Sequence, residues 1–390
     1  MARSNQTGAC PGMIATLAAL LAIAGSGHAA QAAPNPVREL GDRQLAGQRI
    51  LTGFPGQSPP AVLVRMIREG HVAGVILFSQ NFDSESEAQA LIDRLREIRR
   101  PRGLRQPLLI SVDQEGGLVK RLPGPPSTSA AAMGAAGPRA ASREGRRTGR
   151  YLDNLGFNLN FAPVADLAIS GGNIEGTGRG FAHVPADVIR LALPFARALS
   201  RQGVAATAKH FPGFGRASEN TDDMSQSIEV SRKQLRTQDE LPFHAFSRDG
   251  GDVVMLANAV YPALDPSRPA GLSQAVASRE LRRVVGFDGV SITDSLDAAA
   301  ITAIGSPEQV AGMGARAGTD LLLFSSLDSA SRAHESLARD LRTRQLNRSR
   351  FRNSVERVLA LRDSLRPFKR TSARKVAPGR HLRALDGVRG

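Results

Sequence analysis

Eight short apolar runs separated by amphipathic stretches predict an α/β chain closed into a (β/α)8 TIM barrel. Most of the runs are apolar throughout, as in strands buried on both faces, rather than alternating. Polar residues gather just after them, on the rim where barrels build their sites. A barrel takes roughly 250 residues, so the 390 present leave room for terminal extensions.

Residues 1–32 read as a signal peptide. Arg3 is the only charge before an apolar run from Met13 to Ala24, and small residues follow at Gly27, Ala29, Ala30 and Ala32. A charged start, a short apolar centre and an A-x-A-like end define a secretory signal. The run is shorter than the roughly 20 residues that cross a bilayer, so the expectation is export without stable membrane insertion after cleavage. Cleavage removes Cys10, the single cysteine, and with it any disulfide or thiolate chemistry.

The barrel is expected over residues 38–367. Its strands are read at Arg49–Leu51, Gly74–Phe78, Leu108–Val112, Leu159–Val164, Val204–Ala208, Val253–Leu256, Gly289–Thr293 and Asp320–Phe324. Helical periodicity lies between them. From Ser84 to Arg99 the residues Ala88, Leu91, Ile92, Leu95 and Ile98 form one apolar stripe, and Val188–Arg201 is a second such stretch. Phe351, Val355, Val358, Leu359 and Leu365 predict a last helix that closes the barrel. Residues 368–390 are rich in Arg and Lys with few large apolar side chains, and read as a disordered basic tail.

The formal charge is +15, mostly from arginine. Such a balance suits nucleic acid, an anionic wall or membrane surface, or merely a solvated Arg-rich exterior. No zinc-finger spacing or RNP-like motif is present, so nucleic acid is not expected as a partner. The solvated exterior is the first reading and attraction to a cell wall the second. The chain has no Trp and two Tyr, so aromatic stacking platforms are few. No H-E-x-x-H or C-x-x-C occurs, and neither a metal nor a cofactor is expected. Gly176-Thr177-Gly178-Arg179-Gly180 lacks the spacing of a phosphate-binding loop.

Asp113 ends the third run, and Asp166 follows the fourth. Lys209 and His210 end the fifth, Asn258 follows the sixth, and Asp294 ends the seventh. One Asp after a strand is ordinarily a helix cap. Five strand ends bearing such groups predict an active site at one barrel mouth.

Four stretches carry a resemblance. They are LLISVDQEGGLVKR at 108–121, GFNLNFAPVAD at 156–166, VAATAKHFPGFG at 204–215 and GFDGVSITDSLD at 286–297. In this order they resemble family 3 glycoside hydrolases, most closely the one-domain bacterial β-N-acetylglucosaminidases, over roughly residues 40–365. The resemblance implies a retaining mechanism, in which a carboxylate attacks the anomeric carbon and water then hydrolyses the glycosyl-enzyme. It implies Asp294 as nucleophile, in Thr293-Asp294-Ser295. It implies that Asp113, Lys209 and His210 bind the glycone and that Arg121 and Arg179 are the family's two arginines. A nucleophile must be ionised, which calls for nearby donors or positive charge, and Lys209, Arg179 and Arg121 are the candidates to supply that field. Asp297, one helical turn on, is left out.

The sequence departs from the family at the general acid/base. The acetylglucosaminidases carry an Asp-x-His pair in the loop after KHFPGxG; counted from Lys209, those positions are Asn220 and Asp222. Asn258 stands where the family commonly has His, and Gln80 where it often has Arg. Three readings are open. Asp222 is the acid, its pKa raised by burial or by Asp294. Or Glu219 or Asp223 reaches the bond through a changed loop register. Or the protein is a catalytically degenerate binder of sugar or cell-wall fragments. The expected activity is exo-hydrolysis of β-linked N-acetylglucosamine in peptidoglycan-derived sugars, with a β-glucosidase-like specificity as the alternative.

Overall fold

The computed structural model describes residues 36–365. The expected signal peptide at 1–32 and the basic tail at 368–390 lie outside the described residues. Eight strands follow one another: β1 (Ile50–Thr52), β2 (Gly74–Ile76), β3 (Leu109–Val112), β4 (Leu159–Asn160), β5 (Ala205–Phe211), β6 (Val253–Leu256), β7 (Val290–Thr293) and β8 (Leu322–Phe324). Each pairs in parallel with its sequence neighbour from β1 to β7, and β8 returns to β1 through Ile50↔Leu322. The last gap, between β7 and β8, is closed by the parallel bridge Ile292↔Leu321. This is the (β/α)8 barrel that the alternation predicts.

Most strands shift by one or two residues from their apolar runs, and two differ most. The run Leu159–Val164 yields only two strand residues. Pro163 has no N–H to give a ladder, and Val164 contributes a single bridge to Lys209. The fifth strand instead continues past its apolar run, through Lys209 and His210 to Phe211.

Helices cover the barrel. Among them are α1 (Glu85–Glu97), α2 (Pro185–Ser200) and α3 (Arg348–Ser364). Ser84 caps α1, its Oγ accepting from Glu87 N at 3.2 Å. The α1 stripe of Ala88, Leu91, Ile92 and Leu95 is buried. Strand side chains divide between two cores. Leu51, Ile76, Leu109, Leu159, Val253, Met255, Val290, Ile292 and Leu323 fill the barrel interior, together with Val358, Leu361 and Leu365 at the end of α3. Ile50, Val75, Ile110, Val254 and Leu256 face the helical layer.

The helix α3 therefore plugs the barrel at the N-terminal ends of its strands. Its buried Arg362 donates to Pro107 O (2.8 Å), to Gln106 O (3.0 Å) and to Gln48 Oε1. With one end of the barrel interior filled by packed side chains, the interior opens at the C-terminal mouth.

Candidate active site

A polar cavity opens at that mouth. All seven residues singled out from the sequence line it: Asp113, Arg121, Arg179, Lys209, His210, Asp222 and Asp294. Val119, Phe214, Asn220, Thr221, Ala257 and Asn258 complete the wall.

The chain leaves β3 through Asp113 and folds into a short antiparallel hairpin, Gln114–Gly116 with Val119–Lys120. Gly116 turns at φ +97°, and a Cβ there would stand 2.3 Å from Thr128 O, so only glycine fits. The buried Gln114 amide clamps the return strand. Its Oε1 accepts from Arg121 N (3.0 Å) and Leu122 N (3.1 Å), and its Nε2 donates to Leu122 O and Pro125 O (both 3.0 Å). This clamp brings Arg121 back to the mouth, its Nη2 3.9 Å from Asp113 Oδ2.

Lys209 and His210 are consecutive, and a regular strand would send them to opposite faces. In β5 Lys209 pairs with Met255 and Phe211 with Leu256, leaving His210 as an extra residue. Such a bulge re-aims side chains, and here both neighbours line the pocket. The fully buried Asp166 holds the bulge in place. Its carboxylate accepts from His210 N (3.0 Å), Phe214 N (2.7 Å) and His210 Nδ1 (2.7 Å). Nδ1 facing a carboxylate assigns the proton to that nitrogen in the neutral ring and leaves Nε2 as an acceptor.

Glu115, absent from the sequence-derived site, is its electrostatic centre. Arg179 forks onto it, Nε to Oε2 at 2.9 Å and Nη2 to Oε1 at 2.8 Å. Lys209 Nζ lies 2.7 Å from Glu115 Oε1 and donates to Asp113 Oδ1 at 2.9 Å. Burial alone would raise the Glu115 pKa, but Arg179 first and then Lys209 outweigh it and hold the value at about 2. Burial would likewise lower Lys209, and Asp113 and Glu115 reverse this and raise it. Arg179 is raised against burial by Glu115.

Lys209, Arg179 and Arg121, the candidate sources of positive field for Asp294, are each paired directly with Asp113 or Glu115. The buried Glu115 takes Arg179 and shares Lys209 with Asp113, and Asp113 takes Arg121. No ion pair reaches Asp294 among the described residues. Its N–H extends the ladder to Leu256 O (3.0 Å), and its Oδ1 accepts from Ser295 N at 2.8 Å. Asn258 Nδ2 donates to Ser295 O at 2.7 Å and so ties the end of β6 to the loop bearing Asp294. Asp297 is occupied elsewhere, accepting from Ser326 N (2.9 Å) and Ser325 Oγ (3.2 Å).

The loop after β5 crosses to this same edge. Thr221 O and Asp222 O accept from Ala300 N and Ala299 N, both at 3.2 Å, in the short helix that follows Asp294. Of the loop's three acidic candidates Asp222 lines the pocket; Glu219 and Asp223 are exposed and absent from its wall. Asp222 as a whole residue is also exposed, at the rim. Even so, the protein packed around its carboxyl raises its pKa, Asp294 raises it further, and the hydrogen bond from Asn220 (3.2 Å) opposes both.

A parallel barrel whose mouth presents two carboxylates, Asp222 and Asp294, beside paired cationic and acidic side chains is built for glycoside hydrolysis. Comparison with known proteins agrees with this class. Residues 44–361 match the N-terminal domain of glycosyl hydrolase family 3, and the chain belongs to that family. It is 37% identical over 331 residues to a protein of Arthroderma benhamiae described as an uncharacterised secreted glycosyl hydrolase, covering 82% of this chain and 93% of that one. It is 36% identical over 265 residues to a β-hexosaminidase of Xanthomonas oryzae pv. oryzae, covering 66% of this chain and 77% of the relative. Among solved structures, the family 3 β-N-acetylglucosaminidase of Paenibacillus sp. FPU-7 superposes with a TM-score of 0.79 at 33% identity. That match spans 83% of this chain and 62% of that one.

Two features of the site escaped the sequence reading. Glu115 had a signal: Arg179 and Lys209 at one mouth require more carboxylate than Asp113 provides, and Glu115 sits two residues along the same motif. The Gln114 clamp had none, because glutamine at a strand end carries no pattern of its own.

Proposed function

We propose that this protein is a retaining exo-β-N-acetylglucosaminidase that acts outside the cytoplasm on peptidoglycan-derived sugars. The observation that carries the reading is that Asp294 and Asp222 line one pocket together with Asp113 and Lys209, with Asp294 close enough to raise the Asp222 pKa. Asp294 attacks the anomeric carbon as Asp222 gives its proton to the departing glycosidic oxygen. Asp222, now a carboxylate, takes a proton from water; that water attacks the same carbon and frees Asp294. The raised pKa of Asp222 suits the acid role. Asp113, Lys209, His210, Arg121 and Arg179 bind and orient the glycone. The β-hexosaminidase and β-N-acetylglucosaminidase descriptions of the relatives support the choice of sugar. The relative described as secreted supports export, with residues 1–32 as signal, 38–367 as catalytic barrel and 368–390 as basic tail.

The test is a panel of nitrophenyl β-glycosides with and without a 2-acetamido group, run on the wild type and on Asp294→Asn. Preferential cleavage of the acetamido sugar, lost by at least about a thousandfold in a folded Asp294→Asn, is the expected result. Preference for the 2-hydroxyl sugar would make the enzyme β-glucosidase-like. Binding of N-acetylglucosamine without turnover of any glycoside would make it a degenerate binder.

A further inference from the structure

Asn220 lines the pocket beside Asp222 and touches it twice. Its Oδ1 accepts from Asp222 N at 3.2 Å, and its Nδ2 donates to Asp222 Oδ2, also at 3.2 Å. A backbone N–H can only donate, so the amide oxygen must face it, and the amide NH2 then falls to the carboxyl. One planar amide thus holds the main chain and the side chain of the same residue. The surrounding turn keeps the amide in place. Asn220 O accepts from Asp223 N and Met224 N, both at 3.2 Å, while Thr221 O and Asp222 O tie the turn to Ala300 N and Ala299 N. Among the described residues no hydrogen bond reaches Asp222 Oδ1.

The two oxygens of Asp222 are therefore unequal. A protonated carboxyl accepts a hydrogen bond better through its carbonyl oxygen than through its hydroxyl, so Nδ2 on Oδ2 favours the proton on Oδ1. Once that proton leaves, the same contact becomes charge-assisted and strengthens. A bond that is stronger after the transfer than before it lowers the barrier to the transfer. The other groups around this carboxyl resist its ionisation. Burial raises the Asp222 pKa first, and Asp294, Asp113 and Asp223 raise it further, whereas the bond from Asn220 lowers it. The pocket's cations Arg121, Arg179 and Lys209 pair with Asp113 or Glu115, and His210 faces Asp166.

We propose that Asn220 is a positioning residue for the proton donor: its amide sets the proton on Oδ1 of Asp222 and steadies the carboxylate that remains. This role depends on Asp222 being the acid. In the first step the carboxylate of Asp294 bonds to the anomeric carbon. The glycosidic C–O bond breaks, its electron pair going to the glycosidic oxygen, which takes the proton from Oδ1. Asp222 is left ionised, with Nδ2 against Oδ2. In the second step Asp222 takes a proton from water, whose oxygen displaces Asp294 from the anomeric carbon, and the pair returns to its starting form.

The experiment is the pH dependence of kcat/KM on an N-acetylglucosaminide with a poor leaving group, for the wild type, Asn220→Ala, Asn220→Ser and Asp222→Ala. Serine keeps a short acceptor for the Asp222 N–H but cannot also reach the carboxyl, so it separates holding the turn from holding the acid. Removing a bond that favours the charged form raises the pKa. The alkaline limb should therefore move up by about half to one pH unit in both Asn220 variants. Their rate on the poor leaving group should fall about tenfold, with a much smaller loss on an activated nitrophenyl glycoside. If Asp222→Ala loses the limb while Asn220→Ser keeps it at the wild-type position, Asn220 only holds the turn; the proposal is overturned and Asp222 stands as the acid. If Asp222→Ala keeps the limb, or the wild type hydrolyses no glycoside, the proposal and the acid assignment beneath it fall together.

Discussion

Replacing Glu115 with Gln tests the centre of the site. In the folded protein its pKa stands at about 2, against 4.5 for an ordinary glutamate. At about 1.4 kcal/mol per pH unit, this gap gives the ionised carboxylate roughly 3 kcal/mol of stabilisation through Arg179 and Lys209. The figure matches the roughly 3–5 kcal/mol lost when one member of a buried ion pair is removed. The folded pKa is depressed, so the stabilisation is full above the unfolded value of 4.5 and is lost as pH falls toward about 2. Glu115→Gln should therefore unfold about 3 kcal/mol more easily than the wild type at pH 7, and by under half that difference near pH 3. Denaturant titrations at both pH values measure this. In parallel, Lys209 and Arg179 lose their common anchor, so KM for a glycoside should rise. A penalty below about 1 kcal/mol at pH 7, unchanged at pH 3, would refute the reasoning and reduce Glu115 to a polar spacer.

Three further perturbations follow from the same geometry. Asp222→Ala should slow glycosides with poor leaving groups far more than activated nitrophenyl ones, recover in azide, and lose the alkaline limb of its pH profile, because the raised pKa belongs to the proton donor; unchanged hydrolysis of a natural disaccharide would reject Asp222 as the acid. Glu240 is fully buried, neither of its carboxyl oxygens has a hydrogen-bond partner, and burial and then Glu280 push its pKa up to about 8. A carboxyl raised in this way costs stability as pH climbs from its unfolded 4.5 toward 8, so Glu240→Gln should raise Tm at pH 8 by more than at pH 5; equal shifts at both would contradict it. Asp320 is fully buried, accepting from Arg357 Nη2 (2.7 Å), Ser291 N (2.9 Å) and Arg282. Asp320→Ala leaves those cations uncompensated and should cost about 3–5 kcal/mol in urea unfolding, whereas a cost under about 1 kcal/mol would show that the cluster contributes little.

The barrel and the membership of its mouth were legible in the sequence because both rest on local periodicity. A strand buried on both faces must be apolar along its length, so the run itself marks it, and the residue that ends the run marks the rim. That is why the sequence alone places Asp113, Lys209 and Asp294 at the rim, whereas β4 stops at Asn160, short of the end of its run near Pro163. The pairing of charges was a different matter. Which carboxylate takes Arg179 depends on where a hairpin clamped by Gln114 sets Glu115, and no spacing rule encodes a contact across 64 residues. The bulge that turns both Lys209 and His210 toward one pocket, and the loop anchor at Ala299 and Ala300 that brings Asp222 to the side of Asp294, likewise exist only once the strands are side by side. Periodicity is a property of neighbours along the chain. Electrostatic partnership is set by distance and burial, and the folded barrel alone fixes those.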